Sequence, residues 1–359
     1  MRPGHLAAPT PADARRPLLL WLVLALTMLT LPLAARASDA EVQTTWRLLD
    51  YIAVDYSGAV SGGKVISAAE YAEMTEFAGQ VETRIQTLAP GSARTDLLRR
   101  SAALRSAIAA RESPQAVAGQ SRALAAALLA AYPVPLAPSS PPELTRAAAL
   151  YAQNCASCHG ANGDGHGRDA AGLDPPPIAF TDKARADQRS LFGLYQVISQ
   201  GLDGTAMQSF AALPEADRWA LAFHAGQIAY PEAAAREGER LWREDAAIRA
   251  RYPNLAALVG VTPAALAADI GSQKATALTA YLRRHPDAFM LLTVLRRHHW
   301  GRDFVVANAM HETMPGGGWS RKRLAAARSW LEKTGEIKQV RPASKRYGPA
   351  LYRFKGGRK

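Results

Sequence analysis

Both cysteines of this chain lie within one short segment, and a histidine follows the second one directly. The segment reads Cys155-Ala156-Ser157-Cys158-His159, and the remaining 354 of the 359 residues contain no further cysteine. Two thiols three positions apart fit on a single turn of helix. Such a pair is used in redox-active C-x-x-C sites, in halves of zinc sites and in covalent porphyrin attachment. The fold around this segment therefore has to bring two thiols and an imidazole close together on its surface or in a pocket.

Covalent haem attachment explains the segment best. C-x-x-C-H is the motif in which the thiols add to the two vinyl groups of one porphyrin and the histidine becomes the proximal iron ligand. Zinc is disfavoured because a second C-x-x-C or a Cys/His-rich partner is missing from the sequence. A thioredoxin-like βαβ pattern is missing as well. We predict one covalent haem c, held by Cys155, Cys158 and His159.

Haem iron that shuttles electrons needs a second axial ligand, and a thioether raises its potential relative to a second histidine. Met207 follows His159 by 48 positions in a glycine-flanked loop, and it is the only methionine between residues 143 and 230. The alternatives are His166, which is close in sequence to His159, and His224, which has the features of a structural histidine. A methionine that merely fills the core is a further alternative. We predict Met207 as the ligand.

The segment Asp174-Pro175-Pro176-Pro177 is rigid and extended. We expect it to pack on the proximal side, where a proline carbonyl accepts a hydrogen bond from Nδ1–H of His159. A simple surface turn is the alternative.

The N-terminus has the layout of a secretory signal peptide. Arg15 and Arg16 precede an apolar run over residues 18–31, and Ala35-Arg36-Ala37 forms an A-x-A cleavage site. We predict cleavage after Ala37 and a periplasmic location. An uncleaved inner-membrane anchor is the alternative, although the run is shorter than a membrane crossing needs.

Charge is concentrated at the other end. The whole chain has net charge +12, and residues 289–359 contain 16 Lys and Arg against 4 Asp and Glu. The preceding 288 residues carry 27 of each sign and are neutral overall. This one-sided distribution is typical of an appended module that binds a polyanion.

Apolar residues at helical spacing, a proline-rich stretch and glycine-rich turns predict a mainly α fold with several parts. Val42, Trp46, Leu49 and Ile52 form such a stripe. The predicted parts are a signal peptide (1–37), a helical domain (38–131), a Pro-rich linker (132–142), a haem domain (143–230), a further helical segment (231–288) and a basic module (289–359).

Residues 143–230 resemble a class I cytochrome c domain. The resemblance rests on C-A-S-C-H after a helix, on Asp174-Pro175-Pro176-Pro177, on Gly204-Thr205-Ala206-Met207 and on a closing helix that begins L-P-E-A-D-R-W. It implies thioethers at Cys155 and Cys158, axial ligation by His159 and Met207, and one-electron transfer through the exposed haem edge.

The region before the haem domain is similar to the periplasmic part of bacterial cytochrome c–iron permease fusions, of the high-affinity iron permease family. The similarity rests on L-L-D-Y-I-A-V-D-Y at residues 48–56 and on the Gly-Lys-Val and Glu-Tyr-Ala-Glu-Met that follow. It covers roughly residues 40–287. The permease part is missing: no apolar run that could span a membrane follows Pro286, and the sequence contains no Arg-Glu-x-x-Glu motif. We therefore expect no permease activity from this polypeptide.

The basic module resembles a winged helix-turn-helix. The pattern predicts helices over residues 289–300, 303–314 and 320–334, then strands over 337–340 and 350–354, with Ser320 as N-cap and Gly335 as helix stop. In such a module the DNA-facing cations would be Arg321, Lys322, Arg323, Arg328, Lys345 and Arg346. A helical tail that touches anionic lipid or an acidic partner is an alternative, as is an unrelated segment fused in place of the permease.

These observations favour an exported electron-transfer protein, not an enzyme, with redox proteins or Fe(II) as partners. The resemblance links it to iron oxidation and uptake, with an iron permease as a further partner. A haem-linked DNA-binding regulator is the alternative that the basic module supports. A haem enzyme such as a peroxidase requires an open iron position, which Met207 argues against.

Overall fold

The computed structural model describes residues 39–140, 142–202, 204–252, 254–298, 306, 319–346 and 348–354. The predicted signal peptide and nearly all of the predicted helix over 303–314 lie outside the described residues. The contacts divide the chain into two compact units, Met1–Val134 and Pro135–Lys359. The described part is mainly helical, so the predicted fold class is confirmed.

The first unit is a helical bundle. Its helices are α1 (residues 39–59), α2 (Ala68–Thr87), α3 (Ser92–Ala109) and α4 (Pro114–Ala131). A short antiparallel hairpin, β1 (Val60–Ser61) and β2 (Lys64–Val65), joins α1 to α2. Gly62 and Gly63 both have positive φ in its turn, a backbone region that favours glycine.

The core of the bundle follows the predicted apolar stripe of α1. Val42, Leu49 and Ile52 are at most 1% exposed, because residues at this spacing lie on one face of a helix. The Ser121 hydroxyl on α4 donates to the Leu49 carbonyl at 2.7 Å inside the core. This bond gives a buried polar group its partner and fixes α4 against α1.

The second unit begins with the haem-motif region. Its helices are α5 (Leu144–Asn154), α6 (Ala156–His159), α7 (Lys183–Gln188), α8 (Leu191–Gln200) and α9 (Glu215–Ala225). Helices α5 and α9 pack together, and α8 packs on α9. The linker is tied to this region, since both the backbone N–H and the hydroxyl of Ser139 donate to the Glu215 carboxylate.

Six further helices continue the second unit: α10 (Glu232–Glu244), α11 (Ala246–Arg251), α12 (Leu255–Gly260), α13 (Pro263–Ile270), α14 (Ser272–Leu282) and α15 (Pro286–His298). Helices α10 and α14 pack closely at Gly238, where a Cβ atom would lie 2.1 Å from the Ala277 carbonyl oxygen. Helices α12 and α13 contact α8 and α7 respectively. This segment therefore packs directly on the haem-motif region.

The basic C-terminal part contains α16 (Arg321–Lys333) and an antiparallel hairpin of β3 (Ile337–Arg341) and β4 (Leu351–Phe354). Ser320 caps α16, because its hydroxyl accepts from the Arg323 N–H, and Gly335 has φ +79° just after the helix. Both local predictions are confirmed. Among the described residues, none of the helices combines the length and the apolar character that a membrane crossing needs.

Candidate functional site

The two cysteines and His159 lie on one nearly continuous turn at the end of α5. The Cys155 N–H donates to the Tyr151 carbonyl at 2.8 Å, and the His159 N–H donates to the Cys155 carbonyl at 2.9 Å. Gly160, with φ +79°, ends the turn. Helical bonding therefore presents both thiols and the imidazole from one rigid segment.

The chain after His159 folds back and holds this turn from the other side. The Gly167 N–H donates to the Cys158 carbonyl at 3.0 Å, and the Tyr151 hydroxyl donates to the Gly160 carbonyl at 2.9 Å. A Cβ atom at position 167 would lie 2.2 Å from the Ser157 carbonyl oxygen. Glycine at this position therefore allows two backbone segments to approach more closely than a side chain would permit.

The His159 imidazole is held by a carbonyl and by a ring. Its Nδ1 lies 3.1 Å from the Ile178 carbonyl oxygen, and because a carbonyl only accepts, Nδ1–H is the donor. The ring stacks on Phe180 with centroids 4.6 Å apart. The expectation that a proline of the 175–177 run accepts this bond is wrong by one position: the carbonyl belongs to the residue that follows the prolines.

The protonation of His159 suits metal ligation. Burial lowers its pKa, opposed in part by the hydrogen bond to Ile178, so the imidazole is neutral at neutral pH. Because Nδ1 carries the proton, the lone pair is on Nε2. A neutral imidazole whose other nitrogen donates to a carbonyl is the usual arrangement of a histidine that binds a metal.

The cysteines do not resemble a redox pair. Both thiols are free, and burial, together with the neighbouring Cys158, raises the pKa of Cys155 to about 11. Redox-active cysteines instead have lowered pKa values. Among the described residues, no group of three or more His, Cys, Asp or Glu side chains could hold a metal ion.

Met207 lies in a loop that starts just after α8, is closed by an internal hydrogen bond and is bonded back to α8 at its far end. The Leu202 N–H donates to the Met207 carbonyl at 2.8 Å, and the Phe210 N–H donates to the Ile198 carbonyl at 2.9 Å. Gly201 has φ +71°, and a Cβ atom there would lie 2.6 Å from the Met207 carbonyl oxygen. The side chain is half-buried. The loop therefore has a defined position, while iron ligation by Met207 stays a prediction.

The two competing histidines occupy different surroundings. His166 is exposed, and its backbone N–H donates to the Asp164 carboxylate at 3.0 Å. His224 on α9 lies with its ring centroid 5.0 Å from that of Tyr151, and burial lowers its pKa. The position of His224 in an aromatic contact agrees with a structural role.

Taken together, these residues fit a covalent haem. The chain offers two free thiols for thioether bonds, one neutral imidazole with Nε2 available and one thioether sulfur in the loop after α8. Each is a group that a c-type haem requires.

Two family models match the chain. Residues 142–224 match Cytochrome C oxidase, cbb3-type, subunit III, and residues 34–135 match the iron permease-associated 4-helix bundle domain. The chain joins an iron permease-associated bundle to a cytochrome c domain. The resemblances to a cytochrome c domain and to the iron permease-associated region are thereby confirmed, while the winged helix-turn-helix resemblance of the basic module stays a prediction. No curated protein and no solved structure matches the chain.

The combination supports a haem cytochrome linked to iron uptake. A cytochrome c domain implies haem and is consistent with electron transfer, and the permease-associated bundle supports an iron permease as partner. Both domains also suggest an extracytoplasmic location.

The basic residues expected to face DNA are used in different ways. Arg321, Lys322 and Lys345 are exposed, and so is Arg346. Arg323 instead points inward: its guanidinium binds the Asp287 carboxylate and donates to the Pro142 carbonyl at 2.6 Å.

Arg328 is also engaged within the protein. It lies 3.8 Å from the Glu332 carboxylate and over the Tyr352 ring at 5.6 Å. Four cations of this helix were predicted to face DNA. Two of them, Arg323 and Arg328, have partners within the protein instead. Nucleic-acid binding by this module stays a prediction.

Sequence reasoning missed Arg283, a buried cation that joins α14 to the cytochrome c domain. Its guanidinium donates to the Gly226 carbonyl at 2.6 Å and to the Arg189 carbonyl at 3.0 Å, and it lies over the Tyr230 ring at 5.3 Å. Burial lowers its pKa. No signal in the sequence marks it, because Arg284 follows it directly and only tertiary contacts distinguish the fully buried Arg283 from the half-buried Arg284.

Proposed function

We propose that the chain is an exported monohaem c-type cytochrome that carries single electrons and serves iron oxidation and uptake. In this proposal Cys155 and Cys158 hold the haem through thioethers, and His159 and Met207 are its axial ligands. The observation that carries it is the bond from His159 Nδ1–H to the Ile178 carbonyl at 3.1 Å. That bond fixes the tautomer in which Nε2 is a ligand.

Bound haem supplies a reversible one-electron couple, and the protein sets how strongly the electron is held. The Ile178 carbonyl increases the basicity of the His159 ligand, which favours the oxidised iron. A thioether ligand from Met207 favours the reduced iron. Stacking of His159 on Phe180 keeps the imidazole plane fixed and keeps water away from one of its faces.

The link to iron comes from the bundle that precedes the cytochrome c domain. Ferrous iron is the substrate in this proposal: each ion gives up one electron as it is delivered to a permease, and the cytochrome passes that electron to a partner protein. The bundle supplies the contact with the permease system.

The first test is the intact mass of the protein from the periplasmic fraction of cells that mature c-type cytochromes. We expect the mass of residues 38–359 plus one haem. The matched control is the double variant Cys155→Ala, Cys158→Ala, which should have the same processed chain without haem. A haem-free, uncleaved product of the wild-type chain would refute the proposal.

The second test addresses the iron link. The oxidised, haem-loaded protein is mixed with Fe(II) under anaerobic conditions, and the haem absorption is followed in time. We expect reduction of one haem per ferrous ion consumed. If ascorbate reduces the haem but Fe(II) does not, the electron carrier stands and the role in iron oxidation is wrong.

A further inference from the structure

The C-terminal part carries an exposed set of cations, which we call the basic surface. Residues 319–354 contain ten Lys and Arg but only two Asp and Glu. Seven of these cations have exposed side chains, and two of the seven, Arg346 and Arg353, also have interaction partners within the protein. The other five lie on α16, on β3 and in the turn after β3, and they form the basic surface: Arg321, Lys322, Lys333, Lys338 and Lys345.

The two acidic residues of this part do not neutralise the basic surface. The Glu332 carboxylate lies 3.8 Å from the guanidinium of Arg328. Glu336 is buried, and its carboxylate lies 3.6 Å from the guanidinium of Arg249 on α11. Each acid is therefore matched by a cation outside the exposed set, and the positive potential of that set faces the solvent.

The rear of α16 is anchored in the second unit, so the basic surface is held on a rigid support. The Trp330 ring lies within 6 Å of the rings of Trp242, Tyr281, His285 and Phe289, centroid to centroid. Arg323 adds the ion pair with Asp287 at the start of the helix. These contacts fix α16, which carries three of the cations, on α10, α14 and α15 of the second unit.

The chemistry of the exposed cations favours a diffuse anionic surface over duplex DNA. Base edges are read by planar, bidentate arginines, but Arg323 and Arg328 are engaged internally. Arg346 and Arg353 are exposed but also have partners within the protein, and four of the five cations of the basic surface are lysines, which act as point charges and need no fixed geometry. Val340 lies on β3 together with Lys338, and it is 40% exposed. A lipid interface accommodates such an aliphatic side chain better than a phosphate backbone does.

We propose that the basic surface binds anionic phospholipid headgroups and holds the cytochrome c domain at the membrane. The placement rests on the proposed export of the chain, whereas the binding chemistry rests on the exposed cations alone. Each cation near an anionic membrane increases the affinity for that membrane about fivefold. An electron carrier held in this way stays beside membrane-bound partners without crossing the bilayer.

The test is co-sedimentation of the processed, haem-loaded protein with vesicles of equal parts phosphatidylglycerol and phosphatidylcholine. The test variant is Lys322→Gln, Lys338→Gln. The matched control is Lys64→Gln, Lys274→Gln, which removes the same charge from exposed lysines elsewhere. We expect the test variant to bind about 30-fold more weakly than the wild type, the control to bind as the wild type does, and high salt to release all three.

Three results would overturn the proposal: no binding by the wild-type protein, equal losses in the test and control variants, or tighter binding to duplex DNA than to these vesicles at the same salt concentration. Pure phosphatidylcholine vesicles must not bind the protein. Sedimentation does not depend on the haem, whose spectrum is recorded on the same samples. A wild-type protein that has an intact haem spectrum but does not bind the vesicles therefore counts against the basic surface and leaves the proposed function untouched.

Discussion

Acid is expected to weaken the packing of α16 through one side chain, His285. Its ring lies 4.7 Å from the ring of Tyr281 and 5.5 Å from that of Trp330, centroid to centroid. Burial, assisted by the positive charge of Arg284, lowers the pKa of His285 from 6.5 to about 4. The folded protein therefore keeps this imidazole neutral at pH values where the unfolded chain already binds a proton.

The sign and the size of the effect follow from this difference in pKa. Above pH 6.5 His285 is neutral in both states and stability does not depend on its titration. As the pH falls from 6.5 to 4, only the unfolded state gains the proton, and stability is lost. At pH 4.5 the loss is about 2.5 kcal/mol, an upper figure because the ring is only partly buried.

The variant that isolates this effect is His285→Phe, which keeps a ring against Trp330 but cannot titrate. Urea unfolding curves of the haem-loaded wild type and variant are recorded at pH 8 and pH 4.5 by tryptophan fluorescence. Trp330 lies beside the His285 ring, and Trp242 lies beside Trp330. We expect the wild type to lose about 2.5 kcal/mol more than the variant between these pH values. Burial also lowers the pKa values of His159 and His224, but both proteins share these groups.

Equal losses in the wild type and in His285→Phe would refute this reasoning. Such a result would mean that the ring is solvated in the folded state, or that α16 does not cover it in solution. Strain from the phenylalanine would lower the stability of the variant equally at both pH values, so it cancels in this comparison, and the difference between the two proteins at pH 8 measures it directly.

Three further outcomes are expected. Gly167→Ala should lower the yield of covalently attached haem, measured by intact mass, because the new Cβ would collide with the turn from Cys155 to His159. The control Gly119→Ala on α4 should leave that yield unchanged, since a Cβ atom there meets nothing within 4 Å. Met207→Leu should lower the reduction potential in a redox titration while both thioethers persist. Arg323→Met should destabilise the protein by about 3 kcal/mol in urea unfolding, since it leaves Asp287 without its partner, against less than about 0.5 kcal/mol for the exposed Lys338→Ala.

Local signals in the sequence were sufficient to predict the helices and the turn from Cys155 to His159. The apolar stripe of α1, the N-cap at Ser320 and the helix stop at Gly335 all depend on neighbouring residues, and the structure contains them where the pattern predicts them. The same holds for the segment from Cys155 to His159, whose helical bonding involves five consecutive positions.

Contacts between segments that are distant in sequence could not be predicted from these local signals. The partner of His159 lies 19 positions away, and the extended chain after Pro177 places the Ile178 carbonyl, not a proline carbonyl, at the ring. A shift of one residue in an extended segment reverses the direction of the carbonyl, so the proline pattern alone could not fix it. Arg323 likewise matches an exposed recognition-helix cation in sequence, and only the packing of α16 on α15 brings it to Asp287.

The two carbonyl bonds of Arg283 have a consequence for the order in which the protein is made. They connect positions 57 and 94 residues apart, and the donor is synthesised after both acceptors. Contacts at such sequence separations close late, because the chain between them must first be ordered. We therefore expect the ends of α7 and α9 to lack their shared donor until Arg283 has been synthesised, whereas the turn from Cys155 to His159 depends only on local bonds. We expect an interval in which the two thiols are already presented and the contacts of Arg283 have not yet formed.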